Sequence, residues 1–167
     1  MTRRHRPNLI PGSFRGRRIV TPTSPPGVIG AWRGPNLLVD GFMEDVGVAA
    51  WFASNTTLTK QTADPYQGMR YLQSVNTAGA NGYAAQDVLT AATSYRLTGV
   101  ARSLAGNAFP AVFIVGPGFV WTGTTSTAWQ LFDVVFTNGG AARIYFYTRG
   151  ATIGWGTQWD FLHLSEE

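Results

Sequence analysis

From Asn36 onward, apolar and polar residues alternate in short runs separated by turn-forming residues. The runs fall at 69–75, 83–89, 95–102, 111–115, 119–122, 129–137, 142–148 and 157–164. A period of two puts successive side chains on opposite faces of a strand, so each run predicts a strand with one buried face. Asn36-Leu37-Leu38-Val39 reads as the opening strand, followed by an Asp40-Gly41 turn signal. Asn138-Gly139-Gly140 is a tight-turn signal between two later strands. The stretch 42–53 has room for one short helical turn, and no longer helical period appears. Many short strands with regularly spaced turns predict an all-β, antiparallel sandwich over 36–167.

Residues 1–35 break this pattern. They hold six of the nine prolines, which fix φ and remove backbone donors, so neither a helix nor a central strand fits there. They also hold Arg3, Arg4, Arg6, Arg15, Arg17, Arg18 and Arg33 and no acidic residue. The remainder has six basic residues against nine acidic ones, so the formal net charge of +4 divides into a basic arm and a slightly acidic body. The arm is expected to be extended and to order against a partner. Its apolar residues Ile10, Phe14 and Trp32 stand between the arginines as anchors, which a plain linker would lack. Guanidinium forks suit carboxylates and phosphates, so an acidic protein surface is the expected target, with nucleic acid as the alternative.

Composition narrows the chemistry. Charged residues are 13% of the chain, about half the usual quarter, and Gly reaches 20, which disfavours helical bundles. Cysteine is absent, so disulfide scaffolds, thiolate zinc sites and thiol catalysis are excluded. The opening stretch lacks the continuous apolar run of a secretory signal, and no 18-residue apolar run predicts a spanning helix. His5 and His163 are the two histidines, and their spacing suggests neither a paired-His metal site nor a Ser-His-Asp set. His163 alternates with Leu162 and Leu164 and is expected to face solvent. Glu44-Asp45 reads as a solvated carboxylate pair, and no Gly-rich loop leads from a strand into a helix. The chain is expected not to be an enzyme.

Several segments together resemble the β-jelly-roll carbohydrate-binding modules found beside xylanases and cellulases. They are Asn36-Leu37-Leu38-Val39-Asp40-Gly41-Phe42-Met43-Glu44 followed by Trp51, and Tyr95-Arg96-Leu97-Thr98-Gly99-Val100-Ala101-Arg102. Trp129 with Phe136, and Trp159-Asp160-Phe161-Leu162-His163-Leu164, complete the series. The resemblance covers roughly 36–164 and consists mainly of core and turn positions. Asp40 stands where that family usually has Asn, and Met43 where an aromatic is common. The resemblance implies an antiparallel jelly-roll sandwich. It also implies a structural calcium between the opening segment and the closing strand, with Glu44 and Asp160 as ligands.

Two further expectations concern binding. Along 142–149, Arg143, Tyr145, Tyr147 and Arg149 alternate with apolar residues, giving a ring-rich outward face that Trp121 and Trp155 would flank. Such a face suits a glycan, whose apolar ring faces stack on aromatics, or a protein interface, where Tyr and Arg are enriched. Jelly rolls recur in viral particles. A single such domain carrying a basic arm is therefore expected to be a virion structural protein. The specific expectation is a bacteriophage head decoration protein that docks on the major capsid protein, with trimers as one form. The alternatives are a glycan-binding module and a small capsid protein with a genome-binding arm.

Overall fold

The computed structural model describes residues 34–167. Residues 1–33 of the arm, with every site residue assigned to it from Arg3 to Trp32, lie outside the described residues. Ten strands follow: β1 (Phe52–Ser54), β2 (Thr56–Gln61), β3 (Tyr71–Asn76), β4 (Gly82–Asp87) and β5 (Ser94–Ser103) come first. Then come β6 (Phe109–Ile114), β7 (Gly118–Thr122), β8 (Gln130–Thr137), β9 (Arg143–Arg149) and β10 (Gly156–Glu166). They form two five-stranded antiparallel sheets, one ordered β1-β4-β9-β6-β7 and the other β2-β3-β10-β5-β8. Only β2–β3 and β6–β7 pair as sequence neighbours, and the other connections cross between sheets. This is an all-β jelly-roll sandwich, as the alternation and the resemblance imply.

The inward faces meet in one core built around Trp159, Phe146, Trp51, Phe132, Leu72, Leu97, Ile144 and Leu162. Trp159 is fully buried and meets Phe146 edge-on at 5.4 Å. Toward one end the core turns polar but stays satisfied. Thr148 Oγ1 lies 2.9 Å from Ser74 Oγ and 2.6 Å from Thr157 Oγ1, and Trp159 Nε1 donates to Thr157 Oγ1 at 3.0 Å. These hydroxyls tie β9 of one sheet to β3 and β10 of the other. Gly99 makes room within its own sheet for the side chains of the two flanking strands: a Cβ there would stand 2.5 Å from Leu162 Cδ2 on β10 and 2.9 Å from Phe132 Cζ on β8.

Four expectations change here. Residues 36–39 are not a strand of their own. Beyond Trp159, β3 no longer accompanies β10, and the opening segment takes its place. Leu37 N–H donates to Leu164 O at 2.8 Å, while the Asn36 side chain donates to Leu162 O and accepts from Leu164 N–H. A primary amide thus substitutes for a peptide unit of the missing strand. Second, 42–53 forms turns closed by Met43 N–H to Asp40 O and Trp51 N–H to Val48 O, and then enters β1 without a helix. Third, Asn138-Gly139-Gly140 is a corner between sheets and not a hairpin, because β8 and β9 lie in different sheets. Asn138 is buried there and donates to both Thr90 O and Ala141 O at 2.7 Å.

The fourth concerns His163, which is 4% exposed and not solvent-facing. Phe161 has a φ of 53° and forms a bulge between Asp160 and His163, so Asp160 and His163 both lie on the outer face of their sheet. That outer face is covered. The Phe42 ring from the opening segment stacks on His163 at 6.2 Å. Burial lowers the His163 pKa, against a hydrogen bond with the Gly34 backbone that raises it.

Candidate functional site

The two sheets differ in what covers their outer faces. Over β10 and its neighbours lie the opening segment and the 62–70 connection. Tyr66 and Gln67 N–H donate to Asp160 at 2.8 and 3.0 Å, and Arg102 reaches Asp64 at 2.7 Å. The Arg102 guanidinium also lies 4.2 Å from the Trp129 ring, with Tyr66 and Tyr71 against the same indole. β10 is accordingly buried along almost its whole length.

The outer face of β1-β4-β9-β6-β7 carries no such cover among the described residues and is paved with rings. Register sets its layout, because residues paired across antiparallel strands share a face. One row runs Phe52, Ala85, Tyr145, Phe113, Phe119, and the next runs Ser54, Tyr83, Tyr147, Ala111, Thr122. Beyond them Phe109 pairs with Arg149. Tyr83 meets Tyr145 at 5.0 Å and Tyr147 at 5.2 Å, both edge-on. Phe113 meets Phe119 at 5.0 Å and Tyr145 and Tyr147 at 6.0 Å. Mutually propped rings lose little freedom on binding, which favours a rigid platform. Ala85 and Ala111 are fully buried between these larger residues. Phe52 and Phe119 remain about half exposed, at 53% and 47%. Burial raises the Tyr147 phenol, aided by Tyr83 and Tyr145, so it remains a neutral hydrogen-bonding group at ordinary pH.

Of the outward set read from β9, Arg143, Tyr145, Tyr147 and Arg149 do share this face. Arg143 closes one end with a two-pronged pair to Asp87, at 2.5 and 2.7 Å, while lying 4.7 Å from the Phe52 ring. That pair raises the Arg143 pKa and lowers that of Asp87. Arg149 lies over Phe119 at 4.5 Å. Trp121 does not flank the platform. A bulge between Val112 and Phe113 places Trp121 opposite Val112, on the core side, where it stacks on Phe132 at 4.4 Å. Trp155 is half-buried beyond the end of β9, its ring packed where a Gly150 side chain would otherwise stand. Sequence reasoning missed Tyr83, Phe113, Phe119 and Phe52. The period-two pattern of 83–89 and 111–115 marked those strands without showing that both flank β9.

Glu44 and Asp160 converge on one loop, but their surroundings do not fit calcium. Asp160 accepts the N–H groups of Tyr66, Gln67 and Phe161, and Glu44 Oε1 accepts Met69 N–H at 2.9 Å. Calcium takes roughly six to eight oxygens, whereas these carboxylates face amide donors. No group of three or more His, Cys, Asp or Glu side chains suited to a metal occurs among the described residues. Burial, offset by the three amides and reinforced by Glu44, pushes the Asp160 pKa up to about 7.

Comparison with solved structures places this architecture. The chain resembles carbohydrate-binding modules. It aligns with a family 16 carbohydrate-binding module at a TM-score of 0.57 and 21% identity, over 78% of this chain and 100% of that one. With the CBM22-1 xylan-binding domain from Paenibacillus barcinonensis the values are 0.59 and 18%, over 82% and 97%. The enzymatically active domain of tailspike protein 4 from bacteriophage CBA120 matches at 0.59 and 16%, over 79% of this chain and 21% of that one. At these identities the likeness is one of fold. No protein-family model matches the chain, and no curated protein sequence matches it.

Proposed function

We propose that this chain is a non-catalytic glycan-binding module that lays a polysaccharide across the ring platform of β4, β9, β6 and β7. The observation that carries the reading is the cluster of Tyr83, Tyr145, Tyr147, Phe113 and Phe119 on the sheet face that no other described residues cover. Pyranose rings present apolar C–H faces that stack on aromatic rings, while the phenols and neighbouring polar groups meet the hydroxyls. The fold shared with a xylan-binding domain supports the same reading. The test is retention of the full chain in native gels containing soluble polysaccharides (xylan, β-galactan, mixed-linkage glucan, bacterial capsular polymers). Retention by at least one polymer, removed by Tyr147→Ala without loss of fold, is the expected result. Retention that Tyr145→Ala and Tyr147→Ala both leave intact refutes it.

A second reading places the module on a virion, docked through the arginine-rich residues 1–35, as in a head decoration protein. The likeness to a bacteriophage tailspike domain and the charge of that stretch support it. It predicts that deleting residues 1–33 abolishes co-sedimentation with capsids while the sandwich stays folded. Unchanged co-sedimentation rejects it.

A further inference from the structure

The described residues hold six basic side chains, and five of them find oxygen acceptors within the protein. Lys60 pairs with Asp40, Arg96 with Asp133, Arg102 with Asp64 and Arg143 with Asp87, while Arg70 donates to Glu44 O at 3.1 Å. Arg149 has no oxygen partner among the described residues. Its recorded side-chain contact is the face of Phe119.

Arg143 shows what an arginine at the edge of this platform does when a carboxylate is supplied. Its guanidinium lies over the Phe52 ring and its N–H fork grips both oxygens of Asp87. Arg149 repeats the first half of that arrangement at the other end of β9. Its contact at 4.5 Å is with an aromatic ring and not with an oxygen, so its N–H fork stays available for bidentate recognition of an anion. Six residues of strand separate the two, about 20 Å at the usual rise.

The surroundings of Arg149 are those of a subsite. A hollow of about 350 Å³ adjoins it, lined by Asn81, Phe109, Thr122, Gly123, Arg149 and Gly150. No acidic side chain is among them. Asn81 Oδ1 accepts Gly150 N–H at 2.9 Å, which fixes that amide and leaves its NH₂ group for a ligand. Phe109, 43% exposed, adds an apolar wall on the same face.

We propose that this hollow is an anion subsite, and that the platform prefers an acidic polysaccharide whose uronate carboxylate is gripped by Arg149. The ligand supplies at this end what Asp87 supplies at the other. The proposal rests on the glycan-binding reading and narrows it.

The experiment pairs each of four uronate polymers (polygalacturonate, alginate, glucuronoxylan, hyaluronan) with its carboxyl-reduced form. Affinity gel electrophoresis of the full chain at physiological salt compares the native sequence with Arg149→Gln and Tyr147→Ala. The basic stretch at residues 1–35 is common to all three proteins, so their differences isolate the platform. At least one uronate polymer should bind about tenfold or more tightly than its reduced form, the scale of a lost charge-assisted hydrogen-bond pair. Arg149→Gln should erase that preference, bringing the uronate polymer and its reduced form to equal affinity. Equal binding of acid and reduced forms, or an undiminished preference in Arg149→Gln, overturns the proposal. If acid and reduced forms bind equally and Tyr147→Ala abolishes both, the glycan reading stands while the anion subsite falls. If nothing in either set binds through the platform, both fall. Arg149-dependent retention on a sulfated galactan but on no uronate overturns the carboxylate assignment.

Discussion

Asp160 gives the sharpest stability test. Its carboxylate is fully buried, and burial pushes its pKa up to about 7 despite three amide donors. In the unfolded chain the same group titrates near the ordinary Asp value of about 3.9. Between those values the native state binds more protons than the unfolded state, so the Asp160 contribution falls as pH rises. It is fully present below about pH 4 and lost above about pH 7. At about 1.4 kcal/mol per pH unit, the whole window amounts to roughly 4 kcal/mol at most. Asp160→Asn removes this titration and keeps an acceptor for the loop amides. His163 acts with the opposite sign, because its lowered pKa costs stability as pH falls. The informative quantity is therefore the difference between variant and native protein. Urea unfolding followed by fluorescence of the buried tryptophans, at pH 4.5 and 7.5, measures it. The variant should gain on the native protein by up to about 3 kcal/mol over that interval. A difference that stays constant would mean that the amide cage, and not burial, sets the state of Asp160, and would refute the reasoning.

Other outcomes follow from the buried ion pair and the close sheet contact. Asp40 and Lys60 are almost completely buried as a pair, and Asp40 has a φ of 53° that Asn tolerates. Asp40→Asn should leave the ammonium uncompensated and lower unfolding stability by about 3–5 kcal/mol, with much of this recovered when Lys60→Met is added. Equal stability of the single and double variants in urea would contradict it. Gly99→Ala drives a methyl into Leu162 and Phe132 and should cost about 1–3 kcal/mol, read as a lower thermal midpoint by circular dichroism. An unchanged midpoint would show that Leu162 and Phe132 shift aside freely at that contact.

The strands that the sequence pattern reveals are those with one buried face and one wet face. β9 is the clearest, and Ile144, Phe146 and Thr148 do turn inward while Tyr145 and Tyr147 turn outward. β2 escaped notice because Thr56-Thr57-Leu58-Thr59-Lys60-Gln61 places one apolar residue, Leu58, in the core, and its second inward position is a lysine neutralised by Asp40. The platform was half legible. Period two within one strand exposes Arg143, Tyr145, Tyr147 and Arg149, but which strands lie beside β9 is a matter of topology. Tyr83 and Phe113 stand 62 and 32 residues before Tyr145, separations that no local pattern spans. Trp121 was misplaced because one bulge separates it from Phe119, two positions earlier, and sends the two rings to opposite faces. His163 was placed on the correct face of its strand, but the cover over that face comes from Gly34 to Phe42, at the other end of the described chain. The calcium implied by the resemblance gave way for a similar reason. Glu44 and Asp160 are brought together as implied, yet the loop that meets them offers N–H groups.

The central claim is that a glycan lies on the ring platform, and amide and aromatic NMR shift mapping tests it most directly. The full chain is titrated with the polysaccharide fragment that retains it best. Shifts concentrated at Tyr83, Phe113, Phe119, Tyr145 and Tyr147, with the Trp129–Arg102 face silent, are what the account predicts. Shifts confined to that opposite face, or saturable binding that leaves all five rings unmoved, would contradict it.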